Sequence, residues 1–477
     1  MKAPFSAWLQ ALIPDLQKLR AILRQDYDYV SILSTDSPGL AVRISQHARS
    51  IAHRTMTTER GTVIRVAKGG LYAEYAFNDP AGRTPEEIAA EARTELSAQL
   101  ALLKAVNADV YDTPVLTEEP WEVFTEKETG QLPEEADLAA LVAQFAGLSD
   151  RGKALSEDHL DCMVTGQSTH ISKVFLSDEK FLRQSYVYSE GSVGIIAMRD
   201  GANKYGYQSL SGLGGPELFA GLEECLDKAA AQVQTLLSAE RMVPGEYDVI
   251  TSPEVTGLIA HEAFGHGVEM DMFVKNRAMG KDYIGKRVGS DLVTMHEGAL
   301  CADNVTSYVF DDEGTPAGDV TEIKNGILQT GICDALSALR LGIAPTGNGK
   351  RENFEHKAYT RMTNTLFDSG TDSLDDMIAS IGYGFLLEGM ESGMEDPKHW
   401  GIQCIVQMGR EIKDGKLTGR VFAPVIMTGY VPDLLGSISM ASPHREVFGA
   451  GGCGKGYKEW VKVSDGGPYL KTKARLG

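Results

Sequence analysis

Apolar residues near the amino end recur at steps of three and four: Trp8, Leu9, Leu12, Ile13, Leu16, Leu19 and Leu23 form one stripe, which predicts an amphipathic helix. Strand-like segments follow at residues 29–33, 40–44, 62–66 and 70–77. Thr84-Pro85-Glu86-Glu87 then carries a helix start, with Thr84 as cap, Pro85 in the first turn and Glu87 closing a capping box. The stripe Ile88, Ala92, Leu96, Leu100 and Leu103 makes the helix after it long. A further helix is expected from Leu132-Pro-Glu-Glu to about Leu148, and residues 158–207 alternate in the two-residue rhythm of antiparallel strands. After the glycine-rich stretch 211–215, Leu218, Leu222, Cys225, Leu226, Ala229, Val233, Leu236 and Leu237 mark a helix over residues 216–237.

Pro244-Gly245 is the best boundary, because short strands and glycine-rich turns dominate beyond it. Helical patterning there is confined to a segment near residue 260 and short pieces near 337–341 and 374–381, while 308–310, 401–408, 419–422 and 425–427 read as strands. The predicted fold is α+β. An N-terminal α/β-type domain, 1–243, packs long helices on a sheet; a β-rich catalytic domain, 244–477, combines antiparallel sheet with a metal-binding helix.

Composition narrows the function classes. A chain of 477 residues with 43% hydrophobic content buries a full core. Its 66 acidic and 46 basic residues give a formal charge of −20, which repels a phosphate backbone, so direct nucleic-acid binding is disfavoured. The longest apolar runs, such as 193–198, fall far short of the roughly 20 residues that span a bilayer, and the amino terminus develops no signal-peptide core. Six scattered cysteines without short pairs suit a reducing cytoplasm. Five are expected to act as small buried hydrophobes, Cys453 being the exception.

The most informative stretch is Leu258-Ile-Ala-His-Glu-Ala-Phe-Gly-His-Gly-Val-Glu-Met-Asp271. Imidazole nitrogens are good zinc ligands, and a glutamate directly after a ligand histidine can serve water at the metal as general base. His261 and His266 are five residues apart, one more than in the four-step spacing of common zinc peptidases. At about 100° per residue, a five-step separates side chains by roughly 140° on a regular α-helix, so the two rings can share an ion only if the backbone departs from it. Either a π-type turn widens the helix, or it ends near Gly265; Gly265 and Gly267 are expected to accept the unusual backbone this requires. The competing reading makes both ordinary histidines of a half-buried helix. A catalytic zinc normally takes three protein ligands. Glu269, three residues past His266, is the local candidate, and Cys453, in Gly451-Gly-Cys-Gly-Lys-Gly456, the distant one. A phosphate loop is excluded at Cys453 because no Ser or Thr follows Lys455. The second such dipeptide, His296-Glu297, lacks a partner histidine and is expected to be a surface or turn feature.

Taken together, these residues resemble the TldD/PmbA family of metallopeptidases, long named for modulation of DNA gyrase. Its HExxxH matches His261 to His266 and its late Cys-Gly-Lys matches Cys453 to Lys455; segments 311–317, 346–351 and 361–365 follow in order between them. The likeness covers the second half, and around Cys453 this chain is richer in glycine than the family pattern. The resemblance implies a peptidase acting on unfolded or small peptides, with His261, His266 and Cys453 as metal ligands, Glu262 as general base and Glu269 in a supporting role. It implies zinc, one ion per subunit, iron being the other metal considered, and a homodimer or a heterodimer with a family member that lacks the metal motif. The alternative is a non-catalytic regulatory or binding subunit acting through a protein partner.

Overall fold

The computed structural model describes residues 1–80, 82–106, 113–455 and 458–477, without the side chains of 458 and 459. Its secondary structure is mixed α and β. Helix α1 (Ala7–Leu23) buries Leu9, Leu12, Ile13, Leu16, Leu19 and Leu23, the stripe read from the sequence, and Ser6 caps it by accepting from the Leu9 amide. Helix α2 (Pro85–Val106) opens with the capping box: the Thr84 amide donates to Glu87 at 2.7 Å and the Glu87 amide donates back to Thr84 Oγ1 at 3.3 Å. These two helices cover one face of a nine-stranded sheet, burying Val30, Ile32, Ile64, Val66 and Val174.

A long strand, His159–Leu176, organises that sheet. On one edge it pairs first with Gly39–Ile44 and then with Tyr29–Asp36; on the other it pairs along its length with Lys180–Arg199, which turns into Ala202–Leu213. Helices α3 (Leu138–Ala154) and α4 (Leu222–Leu237) pack on this part through Phe145, Leu148, Leu222, Leu226 and Val233. Here the sequence reading needs two corrections. Pro133–Glu135 is a separate 3₁₀ turn and α3 starts later, because Asp137 caps it by accepting from the Ala139 and Ala140 amides. Likewise Pro216–Gly221 is a 3₁₀ turn that precedes α4.

The second half builds an eleven-stranded sheet, part of which closes on itself. Gly245–Thr251 pairs in parallel with Tyr383–Glu395 and antiparallel with Ser464–Leu476; the ring is completed through Gly401–Lys413 and Val425–Tyr430. Val249, Phe385, Leu387, Ile402, Val406, Met427, Leu470 and Leu476 belong to its core. Helix α5 (Pro253–Ala260), capped by Ser252, lies against the ring and is buried on every side except at Glu254.

The halves are joined by polar contacts: Lys173 pairs with Asp312, Arg65 with Glu313, Arg351 with Glu74 at 2.6 Å, and Gln184 donates to the Phe310 carbonyl at 2.9 Å. Residues 308–310, expected as a strand, form only an isolated bridge of Phe310 with Pro316, and the Val309 amide and Phe310 carbonyl bond instead to Gln184 of the neighbouring half. Of the five cysteines expected to be buried, four are; Cys301 is half-buried and donates to Asp319 at 3.1 Å. No helix among the described residues is long and apolar enough to cross a membrane.

Candidate metal centre

Helix α5 does not continue regularly into the histidine motif. Residues His261–Gly265 form a π-helical turn, in which the His266 amide donates to the His261 carbonyl, and His266–Val268 tighten into a 3₁₀ turn. The wider turn brings the two rings to a centroid separation of 5.1 Å, nearly perpendicular to each other. The backbone departure needed for a five-residue spacing is thus present. The glycines contribute differently from the expectation, since neither has a positive φ. Gly265 supplies room, since a Cβ there would lie 2.2 Å from Met362 Sδ, whereas one at Gly267 would make only ordinary contacts with Glu395 and Trp400.

Cys453 arrives from the far end of the chain, on strand Gly452–Lys455, paired antiparallel with Lys458–Lys462. Its Sγ lies 3.1 Å from His266 Nε2, and ligand atoms of His261, His266 and Cys453 all fall within 4.8 Å of one another. The glycines beside it have a local cause: Cβ atoms at Gly452 and Gly454 would lie 2.7 and 3.1 Å from the Trp460 ring, which covers this strand. Gly456, the last glycine of that stretch, lies outside the described residues.

The surrounding charges prepare the sulfur. Burial alone would raise the Cys453 pKa, but His266 and His261 hold it well below the ordinary thiol value, favouring thiolate. Glu269 is buried and accepts from or pairs with His266 Nδ1 at 3.1 Å, directing Nε2 toward Cys453. It is not one of the three converging donors and is held by Lys455 at 3.2 Å and Arg361 at 3.4 Å. Burial would raise its pKa, yet Lys455 and His266 keep it well below the carboxylate range. Arg361 also donates to the Cys453 carbonyl at 2.9 Å, and Lys455 to Asp271 at 2.5 Å.

Asp465, at the start of Ser464–Leu476, was not found by sequence reasoning. Its Oδ2 stands 3.9 Å from His261 Nδ1, and neither that nitrogen nor Asp465 Oδ1 has a hydrogen-bond partner. Glu269 thus hydrogen-bonds the ring of His266, the usual way to fix the tautomer of a metal-binding histidine, while Asp465 stands behind His261 beyond hydrogen-bond distance. Two imidazoles and a thiolate, convergent and backed in this way, fit a zinc-type ion: three protein donors with a position left for water or substrate.

Glu262 follows His261 on the π turn and lines the same cleft of about 690 Å³. Burial raises its pKa, against the lowering effect of the two histidines. Gly393 lies directly on its side chain, since a Cβ there would be 2.5 Å from Glu262 Cγ. The other His-Glu pair is not the surface feature expected. Glu297 is fully buried and accepts from the Thr363 amide and hydroxyl, both at 2.6 Å, and from Thr365 at 2.5 Å. No periodicity announces Asp465. The alternation Glu391-x-Gly393-x-Glu395 was the available sign that this strand faces the cleft.

Comparison with known proteins agrees with this architecture. Residues 244–474 match the PmbA/TldA metallopeptidase C-terminal domain. A metalloprotease of Methanocaldococcus jannaschii is 30% identical over 308 residues, spanning 62% of this chain and 67% of the relative. A protein of Saccharolobus solfataricus described as a zinc metalloprotease TldD homolog is 32% identical over 232 residues, 48% of this chain and 51% of the relative. In fold the chain is similar to the crystal structure of TldE from Thermococcus kodakarensis, with a TM-score of 0.78 at 18% identity, covering 97% of this chain and 100% of that one.

Proposed function

Since the chain belongs to the TldD/PmbA metallopeptidase family, we propose that it is a zinc-dependent peptidase that hydrolyses extended peptides at the His261, His266 and Cys453 cluster. The observation that carries this reading is the convergence of three donors within 4.8 Å from segments of chain nearly 190 residues apart, beside a glutamate facing the same cleft.

A zinc ion held by these residues would polarise a scissile carbonyl and lower the pKa of adjacent water toward ~7. Glu262 takes the proton from the attacking water and passes it to the departing amide nitrogen. Glu269 holds the ring of His266 in the tautomer that presents a lone pair to the cluster, and Asp465 places a carboxyl behind His261. With two imidazoles and one thiolate as ligands, a bound ion would be a milder Lewis acid than one with neutral ligands only.

Substrate class follows from a free sheet edge. Strand Tyr383–Glu395 pairs along its length with Gly401–Lys413, but with Gly245–Thr251 only through Gly384–Leu387. Among the described residues no strand covers its other edge from residue 388 to 395, a stretch that borders the cleft. An extended peptide can pair there through its main chain, which favours unfolded segments over folded proteins. The proposal includes a dimeric working unit, with a second copy or with a family member lacking the motif; light scattering of the pure and mixed proteins tests it.

The decisive experiment loads the protein with zinc or with iron, incubates each form with unfolded peptides and reads the products by mass spectrometry. Cleavage that needs metal and disappears in Glu262→Gln supports the reading. Metal binding without cleavage, alone or with a motif-less partner, would leave a non-catalytic subunit.

A further inference from the structure

One group on the cleft wall has no part in the chemistry above. Glu395 ends strand Tyr383–Glu395, and the pairing of Gly393 with Cys404 and Glu395 with Ile402 is regular there. Alternation therefore places Glu395 on the same face as Gly393, which lies on Glu262. Two strand residues span about 7 Å, so Glu395 stands one or two residues of an extended peptide away from the general base. Its carboxyl lies beside the histidine motif: a Cβ on Gly267, the residue after His266, would lie 3.4 Å from Oε1.

Both oxygens of this carboxyl are shielded from solvent and have no hydrogen-bond partner. Trp400 Nε1 also lies near Gly267, but it too is unpartnered and does not donate to Glu395. Nor does a lysine or arginine of the cleft pair with it, although the charge of His266 acts on it. Among the described residues Lys455 alone of the lysines and arginines lines it, and Lys455 is engaged by Asp271 and Glu269. Glu262, Glu269, Glu391 and Asp465 add further negative charge to the same wall. A buried carboxyl without a donor is strongly unfavourable in its charged form, so a cationic partner from outside the chain would be favoured there. Burial pushes its pKa up to about 9, against the lowering effect of His266. The side chain is half-buried, and its three rotatable bonds let the carboxyl turn into the cleft.

We propose that the cleft selects peptides carrying a cationic group, an ammonium or guanidinium, beside the scissile bond, and that Glu395 is the specificity-determining residue that takes this charge. The inference rests on the peptidase reading above and deepens it by naming the substrate class. Two sources supply that chemistry, a Lys or Arg side chain and a free peptide amino terminus.

The test uses the metal-loaded full chain and one peptide sequence in which Lys, norleucine or Glu is walked through the positions flanking the cleaved bond, each with a free and an acetylated amino terminus. Cleavage is measured with wild type and Glu395→Gln, and binding of the same labelled peptides with Glu262→Gln and the Glu262→Gln/Glu395→Gln pair. The expected result is a preference for Lys over norleucine of about ten- to a hundredfold in kcat/KM at one position, disfavour of Glu there, and loss of both in Glu395→Gln. A preference that instead follows the unacetylated terminus assigns the charge to the amino end. Cleavage without charge preference, or with a preference that Glu395→Gln retains, overturns the inference and leaves the peptidase reading standing. Charge-selective binding without cleavage, lost with Glu395, overturns the peptidase reading and keeps the cation site. Neither cleavage nor selective binding overturns both.

Discussion

The same dipeptide occurs twice in this chain, and its two copies have opposite fates. Glu297 is enclosed and accepts from Thr363, Thr365 and Asn348, so its carboxylate is saturated with donors. Glu262 sits on a π turn beside an open cleft, with backbone glycine against its stem and two imidazoles nearby. A saturated carboxylate is a structural clamp, because moving its proton or its position breaks several bonds at once. A carboxylate left facing a cavity next to metal-type donors is free to handle a proton. What separates the two is the supply of partners around the residue, which the dipeptide itself does not encode.

Swapping the two acids for amides tests this contrast most severely. Glu262→Gln is expected to lower peptide hydrolysis by about 10²–10⁴-fold with bound metal and melting temperature nearly unchanged, as read by product analysis, elemental analysis and calorimetry. Glu297→Gln should show the reverse, costing about 1–3 kcal/mol of stability because an amide NH₂ would face hydroxyl and N–H donors, with metal and activity retained by the folded protein. Equal loss of activity in both variants would erase the distinction.

The turn itself is the next target. Deleting Ala263 restores a four-residue spacing in sequence, but the segments on either side are set for the longer one, so metal occupancy should fall to background. Retention of stoichiometric metal in the deletion would show that the π turn is dispensable. Smaller effects are expected from the carboxylates behind the histidines. Glu269→Gln should weaken metal affinity by about 10–100-fold in a chelator competition, and Asp465→Asn by less, since its contact with His261 is 3.9 Å against 3.1 Å. Cys453→Ala should exceed both.

Much of this was legible before the coordinates. The stripe of α1, the capping box at Thr84 and Glu87, and the need for an irregular turn between His261 and His266 all follow from local spacing, and local spacing is what a sequence records best. Ring closure of the second sheet was not legible. It depends on Gly245–Thr251 meeting both Tyr383–Glu395 and Ser464–Leu476, segments more than 130 residues downstream, and no local pattern specifies that meeting. The same distance hid Asp465, which matters only because the ring brings its strand beneath His261. The segments between the motif and Cys453 carried more than their composition suggested: Asp312 and Arg351 dock the two halves, and Arg361 ties Glu269 to the backbone of Cys453.

A further effect is visible only in the pH dependence of stability. Lys350 is buried with its ammonium on the Met362 and Lys462 carbonyls, at 2.9 and 2.5 Å. Burial, with Arg361 nearby, lowers its pKa to about 7 from the usual lysine value of about 10.5. Between these values the unfolded chain binds the extra proton, so stability gained from this residue rises with pH from about 7 to 10.5 and is absent below. Lys350→Met should flatten that part of the profile in denaturant titrations; an unchanged slope would mean the ammonium is not penalised.

The central claim is that His261, His266 and Cys453 share one metal ion, and X-ray absorption at the zinc edge of the loaded protein addresses it most directly. The account predicts one sulfur neighbour at about 2.3 Å and two imidazole nitrogens at about 2.0–2.1 Å, with the sulfur lost in Cys453→Ala. A zinc environment without sulfur, or one identical in Cys453→Ala, would contradict it.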